Sequence, residues 1–182
     1  MSNTNISFHD PDQFEWVNLL RNAYPDIKRE WERWPRWLRA ARSRFHHGNK
    51  LEYNDSKWDV VPLMNRNKPL FIMRWFFPKT MQLIDQIPVF ENLSFSVFYP
   101  GAETIKHTGW TEAIVRVHLA IDTHEDCTLH CVDQSVTLKN GEVLVFEDGK
   151  EHWAYNHSNK ERTVLLFDVL KKDIGISHHE HT

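Results

Sequence analysis

Cysteine is scarce in this sequence. Cys127 and Cys131 are the only two among 182 residues. Two thiols build no disulfide framework. Four residues apart in a probable strand, they share a face but lie roughly 13 Å from each other, too far to bridge or to chelate one metal together. They read as buried thiols, the cysteine usage of a reducing compartment. Long apolar runs are missing as well: none reaches the ~18 residues of a membrane span. The opening MSNTNISFHDPD has neither the basic nor the apolar region of a signal peptide. A cytoplasmic protein is therefore the default expectation. An excess of one charge is also absent, since 22 Lys and Arg face 25 Asp and Glu for a net −3. That balance gives no reason to expect nucleic acid or a general membrane surface as partner. Without a Gly/Ser linker, a repeat or a low-complexity segment, the expectation is one domain over 1–182. Its helical part would cover 1–50, a β-barrel core 51–172 and a polar tail 173–182.

Histidine and tryptophan, by contrast, are abundant, with 12 and 8 copies. Three of the histidines fall in the final HHEHT, a cluster that binds metal adventitiously and carries no function here. Asp10-Pro11 reads as N-cap and first helical position, and Phe14, Val17, Leu19 and Leu20 extend a helix to about Ala23. Pro25 opens a second helix, with Trp31, Trp34, Leu38 and Ala41 on its buried face. Pro35 predicts a kink or break near Trp34. The stretch 46–57 reads as a polar loop, 58–64 as a strand, NRNKP as a turn, and PKTMQLIDQIP as a short helix whose apolar side is Met81, Leu83 and Ile84.

The remainder is a run of strands. FSVFYP (95–100), AIVRVHLAI (113–121), VTLKNGEVLVFEDG (136–149) and RTVLLFDVL (162–170) are rich in β-branched and aromatic residues and bounded by turn residues. Helices first and strands after argue an α+β, mainly β fold. The architecture that removes exposed edges and supplies a lumen is a jelly-roll barrel, the cupin-like double-stranded β-helix, with the N-terminal helices packed on it.

Within AIVRVHLAI, strand alternation puts Arg116, His118 and Ala120 on one face and Val115, Val117 and Leu119 on the other. A face carrying a cation and an imidazole lines a polar cavity or meets water. His107 and His152 both fall at expected strand ends, where barrels carry their sites, and 45 residues of sequence separate them. Neutral imidazole is the commonest ligand for first-row metals. A non-haem iron centre normally adds a carboxylate two residues after the first histidine, and Gly109 stands there instead. On chemistry alone, metal ligation and a satisfied polar histidine both stay open. Arg162 lies in an otherwise apolar strand. A buried arginine needs an anion, either an internal carboxylate such as Asp168 or Glu147 or the carboxylate of a small ligand gripped by both guanidinium nitrogens.

These residues carry a family resemblance. SFSVFYPGAETIKHTGWTEAIVRVHLAI, GEVLVFEDGKEHWAYNHS and ERTVLLFDVL are together similar to the aspartyl/asparaginyl β-hydroxylases, which are Fe(II)- and 2-oxoglutarate-dependent oxygenases. The pattern spans roughly Leu51 to Asp168 and agrees at seven spaced positions. The resemblance implies that His107 and His152 hold Fe(II), with water in place of a protein carboxylate beside Gly109. It implies that Arg162, helped by Ser96, pairs with the distal carboxylate of 2-oxoglutarate, and that Arg116 and His118 stand beside the cosubstrate. Asp122, Asp148 and Asp168 are the acids whose distance from the metal would test the absence of a carboxylate ligand. The implied reaction is dioxygen-dependent hydroxylation of an unactivated C–H in an amino-acid-like, peptide or other small carboxylate substrate. Trp110 and Trp153 either shape the substrate cleft or pack at the barrel rim. Two other readings stay open: a non-catalytic barrel that binds a small carboxylate, and a metal-dependent barrel enzyme that does not use dioxygen.

Overall fold

Two faces of one sheet organise the molecule, one packed under the helices and the other turned to the smaller sheet. A computed structural model describes residues 6–40, 57–65 and 68–176. In chain order the elements are β1 (Phe8–His9), α1 (Glu15–Arg33), α2 (Arg36–Ala40), β2 (Trp58–Asn65), β3 (Lys68–Pro69), α3 (Met73–Phe76), α4 (Pro78–Ile84) and β4 (Leu93–Phe98). After them come β5 (Ala102–Glu103), β6 (Ile114–Asp122), β7 (Cys127–Cys131), β8 (Gln134–Val136), β9 (Val143–Phe146), β10 (His152–Asn156) and β11 (Arg162–Leu170). A seven-stranded sheet runs β1-β9-β6-β11-β4-β2-β3, and a four-stranded sheet runs β5-β10-β7-β8. The neighbours in the larger sheet are antiparallel throughout, and non-consecutive strands pair across it, which is the jelly-roll pattern.

Alternation sorts the side chains. Val61, Leu63, Phe95, Val97, Val117, Leu119, Val145, Leu165 and Phe167 face the helices, where they pack with Leu20, Ile27, Trp31, Phe77 and Met81. The opposite face joins the smaller sheet around a second core of Phe98, Ala120, Leu129, Cys131, Leu144, Phe146 and Ala154. Arg116 and His118 therefore belong to the lumen face of β6, and the aliphatic face of that strand is the one under the helices.

One expected boundary is absent. The helix does not stop before Pro25; α1 runs through it as a single element. Proline removes one ladder hydrogen bond, but the buried stripe Val17, Leu20, Ile27 and Trp31 continues on both sides of it. Packing of that stripe outweighs the lost bond. The break at Pro35 does occur, since α1 ends at Arg33 and α2 begins at Arg36. Asp10 caps only a short 3₁₀ turn, Pro11–Gln13, and Leu19 is exposed rather than packed. The segment 136–149 is two strands, the end of β8 and then β9. Ala41, the polar loop up to residue 56, the turn at 66–67 and the tail from 177 lie outside the described residues.

Two buried acids tie helices and termini to the barrel. Glu30 of α1 accepts from the Lys79 amide (2.6 Å), the Thr80 amide (3.0 Å) and the Thr80 hydroxyl (2.7 Å). It thus caps α4, whose first amides have no intrahelical partner. Glu147 accepts from His9 at 2.7 Å and pairs with the buried Lys171 at 2.5 Å. That locks β1 and the turn after β11 onto the end of β9.

Candidate active site

His107 and His152 face each other across a single antiparallel bridge. The His107 amide donates to the His152 carbonyl (3.1 Å), and the His152 amide to the His107 carbonyl (2.8 Å). Directly paired residues point to the same side, and the two ring centroids lie 4.3 Å apart. Each ring is oriented the same way: Nδ1 of His107 lies 2.8 Å from the Ile105 carbonyl, and Nδ1 of His152 lies 2.8 Å from the Lys150 carbonyl. Each Nδ1 therefore carries the proton and leaves a lone pair on Nε2, the arrangement that prepares an imidazole for a metal. Burial holds the His152 pKa down at about 4, so its ring is neutral at ordinary pH.

Beside this pair lies a charge cluster at the start of β6. Arg116 donates through Nε to Asp168 (2.9 Å) and brings Nη1 within 2.5 Å of Asp148. Asp168 is also held by Asn92 at 2.8 Å. Asp148 is fully buried, with Oδ1 3.5 Å from Nε2 of His152. Arg116 pairs with Asp148 by charge, and neither Asp148 oxygen accepts a well-directed hydrogen bond among the described residues. Burial raises the Asp148 pKa, and Arg116 offsets this only in part. Gly109 follows from the same packing. A Cβ there would stand 1.8 Å from Oδ2 of Asp148. Asp148, four residues before His152, thus fills the space that a side chain at position 109 would take. Asp122 sits elsewhere, 4.0 Å from His124. Among the described residues no three His, Cys, Asp or Glu side chains form a closed metal cage. Two imidazoles that each turn Nδ1 to a backbone carbonyl, with open neighbouring positions, fit Fe(II) or another first-row metal that must also bind exogenous ligands.

The other end of β11 carries Arg162. It is 5% exposed, and burial lowers its pKa to about 10. Asp168 is taken by Arg116 and Asn92, and Glu147 by His9 and Lys171. No carboxylate among the described residues lies within ion-pairing reach of Arg162; its guanidinium lies over the Phe98 ring, 5.4 Å from the centroid. Cross-strand register puts Phe98 opposite Arg162 and Ser96 opposite Val164, all on the lumen face. The Ser96 hydroxyl accepts from the Trp58 indole at 2.9 Å. His118 lies between the two ends, opposite Leu166, with its ring edge-on to Phe146 at 5.3 Å. Both of its ring nitrogens are buried without a hydrogen-bond partner among the described residues. Burial first, then the charges of Arg162, Arg116 and His152, holds it well below the usual histidine range.

The depressed pKa values of His118 and His152 predict a pH response. Both folded pKa values are depressed below the unfolded value near ~6.5, so unfolding takes up protons as the pH falls. Their stabilising contribution is complete above ~6.5 and is lost toward the folded value, about 4 for His152. Thermal melts of the metal-free protein should show stability falling through that window. His118→Gln should flatten the fall relative to wild type; equal slopes would assign the response to other groups. Asp148, whose pKa is raised, acts in the opposite direction in both proteins.

Alternation along β10 identifies lining residues that sequence reasoning passed over. His152, Ala154 and Asn156 are buried toward the lumen, and Trp153 and Tyr155 face outward. Trp153 stacks on His130 at 4.6 Å on the outer surface, so it does not shape the cavity beside His152. Asn156 donates to the Phe98 and Lys160 carbonyls and accepts from Cys127, near Arg162. Trp110 is exposed in the loop after His107.

Residues 21–172 match the family model described as aspartyl/asparaginyl beta-hydroxylase. The chain belongs to that family. An ornithine lipid ester-linked acyl 2-hydroxylase from Rhizobium tropici is 25% identical over 181 residues, 92% of this chain and 61% of that protein. The human aspartyl/asparaginyl beta-hydroxylase is 30% identical over 103 residues, 53% of this chain and 14% of its own length. The chain therefore spans less than two thirds of either relative. Both relatives are hydroxylases by name. Among solved structures, a cupin domain of a transcriptional regulator from Enterobacter cloacae superposes with a TM-score of 0.44 and 14% identity, covering 63% of this chain and 97% of that one. The jelly-roll assignment itself follows from the strand order described above. Among the described residues no helix is long and apolar enough to cross a membrane.

Proposed function

We propose that the protein is an Fe(II)- and 2-oxoglutarate-dependent dioxygenase that hydroxylates an unactivated C–H bond. One observation carries this reading: Arg162 is a buried guanidinium whose candidate internal acids are both engaged elsewhere, in the same lumen as two imidazoles whose Nε2 atoms make no hydrogen bond among the described residues. A buried cation without an anion is costly, and a dicarboxylate that reaches from Arg162 toward the histidine pair relieves that cost. His107 and His152 would hold the iron. When bound, it supplies the site at which dioxygen is reduced as 2-oxoglutarate becomes succinate and carbon dioxide, one oxygen atom entering the substrate.

The chain's own residues position the reactants. Arg162 grips the distal carboxylate with both guanidinium nitrogens. Ser96 adds a hydroxyl on the same wall, and neutral His118 adds a hydrogen-bonding nitrogen between the two ends. Arg116, clamped by Asp168, keeps Asp148 beside His152, where the carboxylate can hold a water next to the imidazoles. Phe98, Leu129, Phe146 and Ala154 keep the lumen dry. The substrate class follows the relative that is similar over nearly the whole chain, whose name places its hydroxyl on a lipid acyl group. The human relative acts on aspartyl and asparaginyl residues by name and is similar over about half of this chain.

Succinate formation from 2-oxoglutarate under air, with and without Fe(II), tests the proposal. Iron-dependent turnover is expected. Binding of 2-oxoglutarate without turnover would leave a carboxylate-binding barrel. Metal-dependent chemistry that proceeds without dioxygen would leave a different enzyme. His152→Ala should abolish stoichiometric metal, measured by equilibrium dialysis with Fe(II) or Mn(II). One metal per chain in that variant would remove the histidine pair from the centre.

A further inference from the structure

The segment between β3 and α4 is built against expectation for a soluble surface. Phe71, Ile72, Trp75 and Phe76 are 76%, 55%, 74% and 46% exposed, four large apolar side chains within six residues. Scattered exposed apolar residues need no explanation, but a contiguous cluster marks an interaction surface. The cluster stands on a firm base. The Leu70 amide bonds the Leu63 carbonyl (2.9 Å), the Met73 amide the Leu70 carbonyl (2.8 Å), and the Phe77 amide the Met73 carbonyl (2.8 Å). Met73 and Phe77 are fully buried on the inward side, and Trp34 packs against the Phe76 and Phe77 rings at 5.1 and 5.2 Å. The outward apolar residues are therefore displayed by a packed element.

Charge and position narrow the occupant. From 66 to 79 the sequence RNKPLFIMRWFFPK holds four basic residues and no acidic one, in a chain of net charge −3. Lys68 and Lys79 are exposed, and Arg74 is paired with Asp85 at 3.0 and 3.1 Å. Exposed Trp and Phe ringed by lysine match the interface of an anionic bilayer, where aromatic rings settle at headgroup depth and basic residues meet the lipid phosphates. Register also places the segment at the site's end of the larger sheet. Met64 of β2 lies opposite Leu93, Leu93 opposite Phe167, and Phe167 opposite Val117, the neighbour of Arg116.

We propose that Phe71, Ile72, Trp75 and Phe76, with Lys68 and Lys79, form a docking surface that seats the protein on an anionic lipid bilayer without crossing it. This deepens the proposed function and rests on it only for its purpose, which is to bring an acyl-bearing substrate to the barrel.

The test uses the full chain without added iron or 2-oxoglutarate, sedimented with vesicles of phosphatidylcholine alone or mixed with phosphatidylglycerol. Wild type should bind the mixed vesicles, weakly or not at all the neutral ones, and lose binding as salt rises. Phe71→Ser with Trp75→Ser should weaken binding at least ~tenfold while the melting temperature holds, because the truncated side chains are exposed. Lys68→Glu with Lys79→Glu should do the same and decides the matter if the first variant fails to fold. No binding to phosphatidylglycerol vesicles, or equal binding by both variants, overturns the proposal. So does a wild-type dimer that the serine variant dissolves without any vesicle binding, which would make the patch a self-association face. Vesicle binding without succinate formation would keep the surface and sink the oxygenase reading; succinate formation without vesicle binding would do the reverse.

Discussion

Replacing Arg162 with Met should raise the 2-oxoglutarate concentration needed for turnover by at least ~tenfold while leaving the metal-free protein as stable as wild type or more so. The two halves of this result come from one physical fact. A charge-assisted contact to a buried partner charge is worth roughly 2–5 kcal/mol when truncated, which is more than tenfold in binding. Without the cosubstrate, Arg162 is a desolvated cation with no carboxylate in reach among the described residues, and burial lowers its pKa to about 10. Methionine fills much of the same volume without the charge. An arginine in an internal ion pair behaves oppositely: truncation strands its partner and costs ~3–5 kcal/mol of stability. Initial rates at graded 2-oxoglutarate, read beside thermal melts, separate the two. A sharp loss of stability with an unchanged cosubstrate requirement would make Arg162 structural and leave the lumen without its anchor.

Much of this arrangement is legible in the residues. Period-two alternation in 113–121 places Arg116 and His118 on one face, and the lumen lies there because the helices cover the other. The break at Pro35 follows from proline's missing donor. Other features depend on contacts that no local pattern encodes. β1, β3 and β5 are two residues each, too short to show alternation, so no pattern in the sequence announces them. Pro25 reads as a helix start, yet tertiary burial of the stripe on both sides carries α1 through it. The identity of Arg162's partner could not be read from spacing, since Asp168 shares its strand face and only the fold turns that carboxylate to Arg116. Trp153 is adjacent to His152 in sequence and opposite to it in space, a consequence of strand geometry available in advance once the strand is placed. Net charge averaged over the chain conceals the basic run from 66 to 79.

Gly109→Ala should be among the most damaging single-methyl changes in the protein. The added Cβ would lie 1.8 Å from Oδ2, 2.5 Å from Cγ and 2.8 Å from the backbone oxygen of Asp148. Rotating the carboxylate relieves only the first two contacts. The backbone oxygen is fixed by its 2.7 Å bond from the Gly109 amide, so the two segments must part. Overpacking a close-packed site costs ~1–3 kcal/mol, and the cost here falls on the segment that positions His107. A lower melting temperature and weaker metal binding are both expected. Gly109→Asp, which recreates the usual His-X-Asp spacing, should fail for the same reason, because Asp148 already fills the space the new carboxylate would need. Adding Asp148→Ala to the Gly109→Ala variant should recover part of the lost stability by removing the side-chain clash while the backbone contact persists. Calorimetric melts and metal titrations of the three variants check this. If Gly109→Ala melts and binds metal like wild type, Asp148 does not occupy the space beside Gly109, and the account of why this chain lacks the expected carboxylate at that position is wrong.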